Sequence, residues 1–361
     1  MRKYRLKKNK INIIFFLALW IKLLRLHSRG VNMNIKQIPE LNIINDIVVS
    51  YLQSSKEEYL KNKEKLEFTS DIGLSSVMDS PLVHYLRLKY PNVESYTSDH
   101  LDVMLGDFVH AELQRKFISI KGTNCYIEHP LPIKVKGATG DWTLSGRIDI
   151  LEVLNDKEIK IGDIKVTSAY QVQTINKEIY KYEQTGDWRE LKHKFIYQLN
   201  AYAEGMRQQG KDVKELYLLV YCKHWTKRLA WENPSFPQFP FFYLTVPLLK
   251  PEEIEEYLIE CVNRHQAADM GLQEDVLPRC NKKDLWLEDH KEWAVMIKGK
   301  KKAAALFHTK AEAQEAVKEY LDSYLEHRPI GLSIRCRDYC LYNEVCPQFQ
   351  QQKQGVENGT K

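Results

Sequence analysis

The stretch Gly146–Ser168, GRIDILEVLNDKEIKIGDIKVTS, holds the residues best suited to chemistry: Asp149, Asp163 and Lys165. Two segments rich in Ile, Leu and Val flank a polar Asn155-Asp156-Lys157, the pattern of a β-hairpin. With the turn centred on Asp156, Val153 faces Ile159, Leu151 faces Ile161, Ile148 faces Ile164, and Glu152 faces Lys160. These are the apolar and opposite-charge pairs that stabilise an antiparallel ladder. A slip of one residue would mismatch all of them. In this register Asp149 lies opposite Asp163, with Cβ atoms about 4.5–5.5 Å apart. Lys165 shares the face of Asp163, and Ile164 points the other way. Two carboxylates this close repel unless a cation sits between them. Oxygen ligands of this kind suit Mg²⁺ or Mn²⁺. Such an ion acidifies a water, polarises a phosphoryl oxygen and clamps the scissile group. A neighbouring lysine neutralises charge in the transition state. The plain alternative is a solvent-facing hairpin with hydrated charges. Against it, the carboxylates continue the face of Leu151, Val153, Ile159 and Ile161, where unpaired charge is expensive.

The elements that must position this hairpin are legible in outline. Residues 34–68 read as helical and highly charged, an appendage before a globular region that begins at Asp71. LSSVMDSPLVHYLRLKYP reads as one helix ended by Pro91, and SDHLDVMLGDFVHAELQRKF as a second, capped by Ser98 or Asp99. Between Cys125 and Thr167 the pattern is strands, broken at HPLP and at KGATGD. A helix is expected over Glu190–Gln209, where Leu191, Phe195, Leu199 and Tyr202 recur at helical spacing. ELYLLVYCKHW reads as a buried strand, YLTVPLL as another, and PEEIEEYLIECVNRHQ as a helix with Pro251 in its first turn. After Cys280 a smaller ββα unit follows: EWAVMI, the turn KGKKK, AAALF, then a helix through Leu325 opened by the capping box Thr309–Glu312. The polar tail is expected to be disordered.

Composition bounds the rest. With 361 residues, the chain has room for one large domain or two ordinary ones. A formal net charge of +5 suits a protein that meets phosphate on one face, and many that do not. The first thirty residues pair a basic start with the apolar run INIIFFLALWI, too short to span a bilayer and followed by no small-residue cleavage site. Codons for Arg29–Asn32 can spell a purine-rich ribosome-binding sequence before Met33, so residues 1–32 read as a start-site extension or a disordered segment. No membrane partner is expected. The seven cysteines are odd in number, and Cys336, Cys340 and Cys346 crowd together, which suits metal or cluster ligation in a reducing cytoplasm better than disulfides. Cys125, Cys222 and Cys261 read as small buried apolar residues. The basic turn Lys298–Lys302 reads as solvated, and Trp286, Trp293, Tyr339 and Tyr342 as core aromatics.

The hairpin's D-x13-D-x-K pattern resembles the PD-(D/E)XK nuclease superfamily, with Asp in place of the commoner Glu. The order of three motifs across residues 71–225 is similar to the RecB-type exonuclease branch. Gly106-x3-His110 lies on an upstream helix, and Gln198-x3-Tyr202 on the helix after the hairpin. The resemblance implies an α+β, restriction-endonuclease-like fold: a mixed central sheet flanked by helices, with a small C-terminal ββα/cysteine unit. It implies His110, Asp149, Asp163 and the main-chain carbonyl of Ile164 as metal ligands, Lys165 on the nucleophilic water, and Gln198 and Tyr202 on the DNA. Taken singly, His110 reads as a core histidine beside Leu113 and Phe117, and Gln198 and Tyr202 as an ordinary helix pair.

Three thiolates at the spacing of Cys336, Cys340 and Cys346 need a fourth ligand, for which Cys280 is the choice. In similar relatives such a set holds a [4Fe–4S] cluster, and Zn²⁺ is the alternative. The arrangement of Cys280, ββα unit and cysteine trio resembles phage-encoded members. The expected division is 33–70 helical appendage, 71–270 nuclease core, 271–350 cysteine unit with its ββα insertion, and 351–361 tail. The leading expectation is a metal-dependent DNA exonuclease of a bacterial or phage-infected cell, with replication or recombination proteins as partners. A structure-specific endonuclease, or a non-catalytic DNA-binding scaffold, is the alternative.

Overall fold

A computed structural model describes residues 35–36, 47–54 and 68–359, apart from 92, 94, 289, 329 and 330. The expectations for residues 1–32, and most of those for 33–67, lie outside the described residues. The chain divides into two compact units, residues 1–67 with 94–108, and 68–93 with 109–361. In the first, β1 (Ile35–Lys36) pairs in parallel with β3 (Ser95–Tyr96), and residues 47–54 form the helix α1. The expected helix over 34–68 therefore holds at 47–54 and fails at Ile35–Lys36, which are extended.

The second unit holds a mixed six-stranded sheet: β2 (Ile72–Gly73), β4 (Cys125–Gly137), β5 (Gly140–Val153), β6 (Glu158–Ser168), β7 (Asp212–Lys223) and β8 (Phe241–Val246). The path is β2-β5-β6-β7-β8, with β4 paired to β5. The strand β5 is central to the site. It pairs with β4 along its whole length, with β2 only at Leu144–Ser145, and with β6 only at Ile150–Val153. Because β4 takes one edge, β2 and β6 share the other, and, among the described residues, 146–149 have no strand partner there. The expected break at HPLP is absent: β4 runs through Pro130 and Pro132. With β5 its only neighbour among the described strands, alternate residues of β4 turn their N–H away from the sheet, where proline removes no ladder bond.

Helices cover both faces. The main core packs β4–β7 against α5 (Ala169–Thr185), α6 (Lys194–Gln208) and α8 (Pro251–Gln273). A smaller core sets Ile150, Ile164, Tyr217 and Leu219 against Val109, Leu113 and Phe117 of α4 (Thr97–Lys121). This is the expected mixed sheet flanked by helices, the restriction-endonuclease-like architecture.

Local corrections have local causes. The single expected helix after Leu74 is two, α2 (Leu74–Val77) and α3 (Pro81–Lys89), because Pro81 starts a new first turn. The helix α4 starts at Thr97, ahead of the expected caps Ser98 and Asp99. The helix expected from Glu190 begins instead at Lys194, where the His193 ring accepts from the Phe195 N–H. The helix α5 and the short α7 (Lys227–Glu232) were not expected. In the C-terminal unit, β9 (Trp293–Ile297), β10 (Ala305–Phe307) and the Thr309–Glu312 capping box of α9 (Lys310–Val317) match the expected ββα. The expected continuation of α9 to Leu325 does not: β11 (Ser323–His327) pairs with β9 after a turn with Asp322 at φ 54°. The polar tail is helical as α10 (Pro347–Gly359), started by Pro347 and anchored by buried Phe349. Trp286 and Tyr339 are 59% and 68% exposed, so they are surface and not core aromatics.

Candidate active site

The hairpin register expected from the side chains is the one observed from Ile150↔Gly162 to Val153↔Ile159. Gly162 leaves room on the other side for the Tyr217 ring of β7, since a Cβ there would lie 2.3 Å from it. The ladder then stops one step short of Asp149 and Asp163. Instead of a strand partner, the Ile164 N–H finds the Asp149 carboxylate, donating to Oδ2 at 2.8 Å. Side-chain alternation also changes phase here. Ile148 and Leu151 lie in the main core, while Ile150 lies in the smaller one with Ile164. The expected Ile148–Ile164 pair is thus not formed. An irregularity of this kind re-aims a side chain and ends pairing.

On the other edge of β5 the β4 register places Glu128 opposite Asp149, between the pairs Ile127↔Ile150 and His129↔Ile148. Glu128 has φ 50°, a conformation that strains a residue with a side chain. His110 of α4 brings Nδ1 to 3.4 Å from Asp149 Oδ2. Ligand atoms of His110, Glu128 and Asp149 all lie within 4.8 Å of one another, the one such group among the described residues. One turn beyond His110, Gln114 Nε2 donates to Glu128 Oε1 at 2.6 Å and to the Asp149 carbonyl at 3.3 Å. Arg147 Nε holds the other Glu128 oxygen at 2.7 Å.

Asp149 is 9% exposed and Asp163 1%. Burial, and then the nearby Asp163 charge, hold the Asp149 carboxyl well above the usual carboxylate range, against the opposing pull of Lys165 and the Ile164 N–H. Lys165 Nζ is 2.6 Å from Asp163 Oδ2, a contact of charges, yet that buried oxygen has no partner in hydrogen-bond geometry. Two buried carboxylates, with an imidazole and a third carboxylate near Asp149, are a donor set that fits a divalent cation; Asp163, in contact with Lys165, stands outside the tight group of His110, Glu128 and Asp149. Lys165 Nζ also sits 4.9 Å from the centre of the Phe195 ring.

The helix α6 supplies the remaining residues. Tyr202 fills the unpaired gap of β5: a Cβ on Gly146 would lie 2.8 Å from its ring, and the Arg147 backbone N–H meets its hydroxyl. Gln198 Nε2 donates to the same hydroxyl at 2.9 Å. Tyr202 is 4% exposed, so it supports the site from below. Gln198 reaches a cavity lined by Lys165, Lys194, Phe195, Ser75 and Met78. Burial, with Lys194 and Lys165 nearby, pushes His193 down to about 4, so a neutral ring caps α6.

The sequence reading named His110, Asp149, Asp163, Ile164, Lys165, Gln198 and Tyr202, and the structure brings their elements to this one region. It missed Glu128. Counting the β4–β5 ladder outward from KGATGD would have found it, since the Gly137↔Gly140 pair fixes Glu128 opposite Asp149.

Cys280, Cys336 and Cys346 are buried and Cys340 is half-buried, in one small core shared with Leu82, Val83 and Leu86 of α3. None forms a disulfide. Burial pushes the Cys280 thiol up to about 12, against the hydrogen bond with Ser80 Oγ, 3.1 Å from Cys280 Sγ.

A family model described as the PD-(D/E)XK nuclease superfamily matches residues 121–347, which include Glu128, Asp149, Asp163 and Lys165 and begin after His110. No curated protein matches the chain. Among solved structures, one described as "Crystal structure of SSO0001" is 13% identical, covers 64% of this chain and 87% of its own, and superposes with a TM-score of 0.36.

Proposed function

The chain belongs to the PD-(D/E)XK nuclease superfamily, and from that premise we propose that it is a DNA exonuclease dependent on Mg²⁺ or Mn²⁺. The observation that carries this reading is the pair of buried carboxylates, Asp149 and Asp163, with His110 and Glu128 beside Asp149 and Lys165 beside Asp163. His110, Glu128, Asp149 and Asp163, with the Ile164 carbonyl, would hold the ion. When bound, the ion supplies Lewis-acid polarisation of the phosphodiester and lowers the pKa of water.

The chain's own residues do the rest. Lys165, held by Asp163 against Phe195, keeps a positive charge where the phosphoryl oxygens become more negative. The Ile164 N–H and His110 fix the Asp149 carboxylate in one orientation. Tyr202 closes the gap in β5 and presents Gln198 to the substrate cavity. Glu128 is a strained, charge-balanced participant, and Glu128→Gln is expected to weaken Mn²⁺ binding about 10–100-fold. Calorimetric titration with Mn²⁺ checks this, and an unchanged affinity would remove Glu128 from the site.

The finer reading, a RecB-type exonuclease similar to phage-encoded members, is supported by Gly106-x3-His110 and Gln198-x3-Tyr202 in that order around the hairpin. Replication or recombination proteins are the partners that fit it. An iron–sulfur centre, or Zn²⁺, is the reading that rests on the spacing of Cys336, Cys340 and Cys346; these share a core with Cys280, but no three of the four sulfurs lie within 4.8 Å of one another. A brown colour with visible absorption in anaerobically purified protein would distinguish the two. Among the described residues no helix is long and apolar enough to cross a membrane. The functional test is digestion of end-labelled linear DNA and closed circular DNA with Mg²⁺ or Mn²⁺. Release of short products from linear DNA alone supports an exonuclease. Cutting of the circle establishes the endonuclease alternative.

A further inference from the structure

At the end of β6 lies a group of exposed rings and cations that the catalytic chemistry does not use. The last β6–β7 pair is Ser168↔Lys223, only three residues beyond Lys165, or about 10 Å along the strand. From Ser168 the chain enters α5, whose second residue, Tyr170, is 62% exposed. From Lys223 it enters the segment 224–240, which carries Trp231 on α7, 90% exposed, and Phe239, 68% exposed. Lys227 and Arg228 are exposed on the same short helix, and Arg228 meets Glu232 only through a solvent-exposed pair at 2.7 Å.

This segment is built, not loose. Trp225 Nε1 donates to the Pro237 carbonyl at 2.7 Å, and Gln238 Nε2 to the Phe236 carbonyl at 2.8 Å. Gln173 of α5 donates to the Ser235 carbonyl at 3.0 Å, and the Tyr170 ring packs edge-on against buried Phe236 at 5.8 Å. The exposed apolar groups are aromatic rings interspersed with lysine and arginine. That mixture suits π-faces and phosphates better than an aliphatic protein partner. The parallel pair β6 and β7 ends here, three residues beyond Lys165.

We propose that Tyr170, Trp231 and Phe239, with Lys227 and Arg228, form a stacking platform for the unpaired bases of a nucleic-acid strand that passes the catalytic site. The inference rests on the nuclease reading and adds to it a preference for single-stranded substrate at this end of the sheet.

The test is fluorescence anisotropy with a labelled single-stranded oligonucleotide and a duplex of the same sequence, in chelator so that nothing is cut. Trp231→Ala and Tyr170→Ala are each expected to weaken single-strand binding about tenfold and duplex binding by less than about twofold. Trp286→Ala, an exposed ring elsewhere, should change neither. Melting temperatures equal to that of the wild type confirm that these surface variants fold. Unchanged single-strand binding in Trp231→Ala, or equal losses for strand and duplex, overturns the platform. Cleavage with Mg²⁺ or Mn²⁺ is measured on the same preparations. A wild type that cuts DNA while its single-strand affinity ignores Trp231 sinks the platform alone. A wild type that neither binds nor cuts sinks the nuclease reading and the platform with it.

Discussion

Asp149→Asn abolishes metal-dependent cleavage and, at neutral pH, makes the metal-free protein more stable. Both halves follow from where Asp149 sits. Its carboxyl is buried beside Asp163, so the folded protein releases the Asp149 proton at a higher pH than the unfolded chain does. As pH rises past the unfolded value near ~4, the unfolded chain binds fewer protons than the folded one, and stability falls until the folded group has also ionised. Neutral pH lies above the unfolded value, so stability there is lower than near pH 4. Asparagine removes the charge while its amide oxygen still accepts the Ile164 N–H, which now binds Oδ2 at 2.8 Å. The expected result is a melting temperature at least ~2 °C higher at pH 7 without metal, with no gain near pH 4. A divalent ion reverses the order, stabilising the wild type and not the variant. Cleavage should fall by about a thousandfold or more. Thermal melts at several pH values, with and without Mn²⁺, check the stability claim. A variant less stable than the wild type at pH 7 would mean that Asp149 is held by partners stronger than its desolvation.

Lys165→Met is expected to cut turnover by roughly 10²–10³-fold, the usual loss on removing one group that meets developing charge. Methionine keeps much of the side-chain volume against Phe195, 4.9 Å from the lysine nitrogen. Asp163 Oδ2, 2.6 Å from Lys165 Nζ, then loses that counter-charge in a buried setting, so the metal-free variant should be destabilised by about 3 kcal/mol. Mn²⁺ should restore that stability, because the ion takes the place of the lysine charge beside Asp163. It should not restore turnover. Denaturant titrations paired with initial rates separate the two effects. Recovery of both by Mn²⁺ would assign Lys165 a purely structural role.

What could be read in advance depended on how local the determinants were. The hairpin register was legible because Val153, Ile159, Leu151 and Ile161 admit one pairing with both faces satisfied. Its failure just beyond, at Ile148, comes from the β4 side. Glu128 at φ 50° and the unpaired edge of residues 146–149 turn Asp149 out of the ladder, and no pattern within β5 records that. The helix α5 escaped notice although Ser168 caps it and Gly186 closes it at φ 69°. Its buried Val172, Ile175 and Ile179 are diluted by polar residues. The strand β11 was taken for helix because the Thr309 capping box predicts a start and says nothing about an end. In the site, the roles of Gln198 and Tyr202 were joined by helical spacing, but the structure separates them. Gln198 lines the cavity, and Tyr202 fills the space that Gly146 leaves. Which of the two would be buried depended on Gly146, on another strand.

The central claim is that Asp149 and Asp163 hold a divalent ion that hydrolyses a phosphodiester. The direct measurement is the rate of cleavage of labelled DNA against Mg²⁺ or Mn²⁺ concentration, for the wild type and Asp163→Asn at matched folded fraction. The structure predicts saturable, chelator-sensitive cleavage by the wild type and none above background by the variant, because the second buried carboxylate is gone. Cleavage by Asp163→Asn at the wild-type rate, or wild-type cleavage indifferent to chelator, would contradict the account.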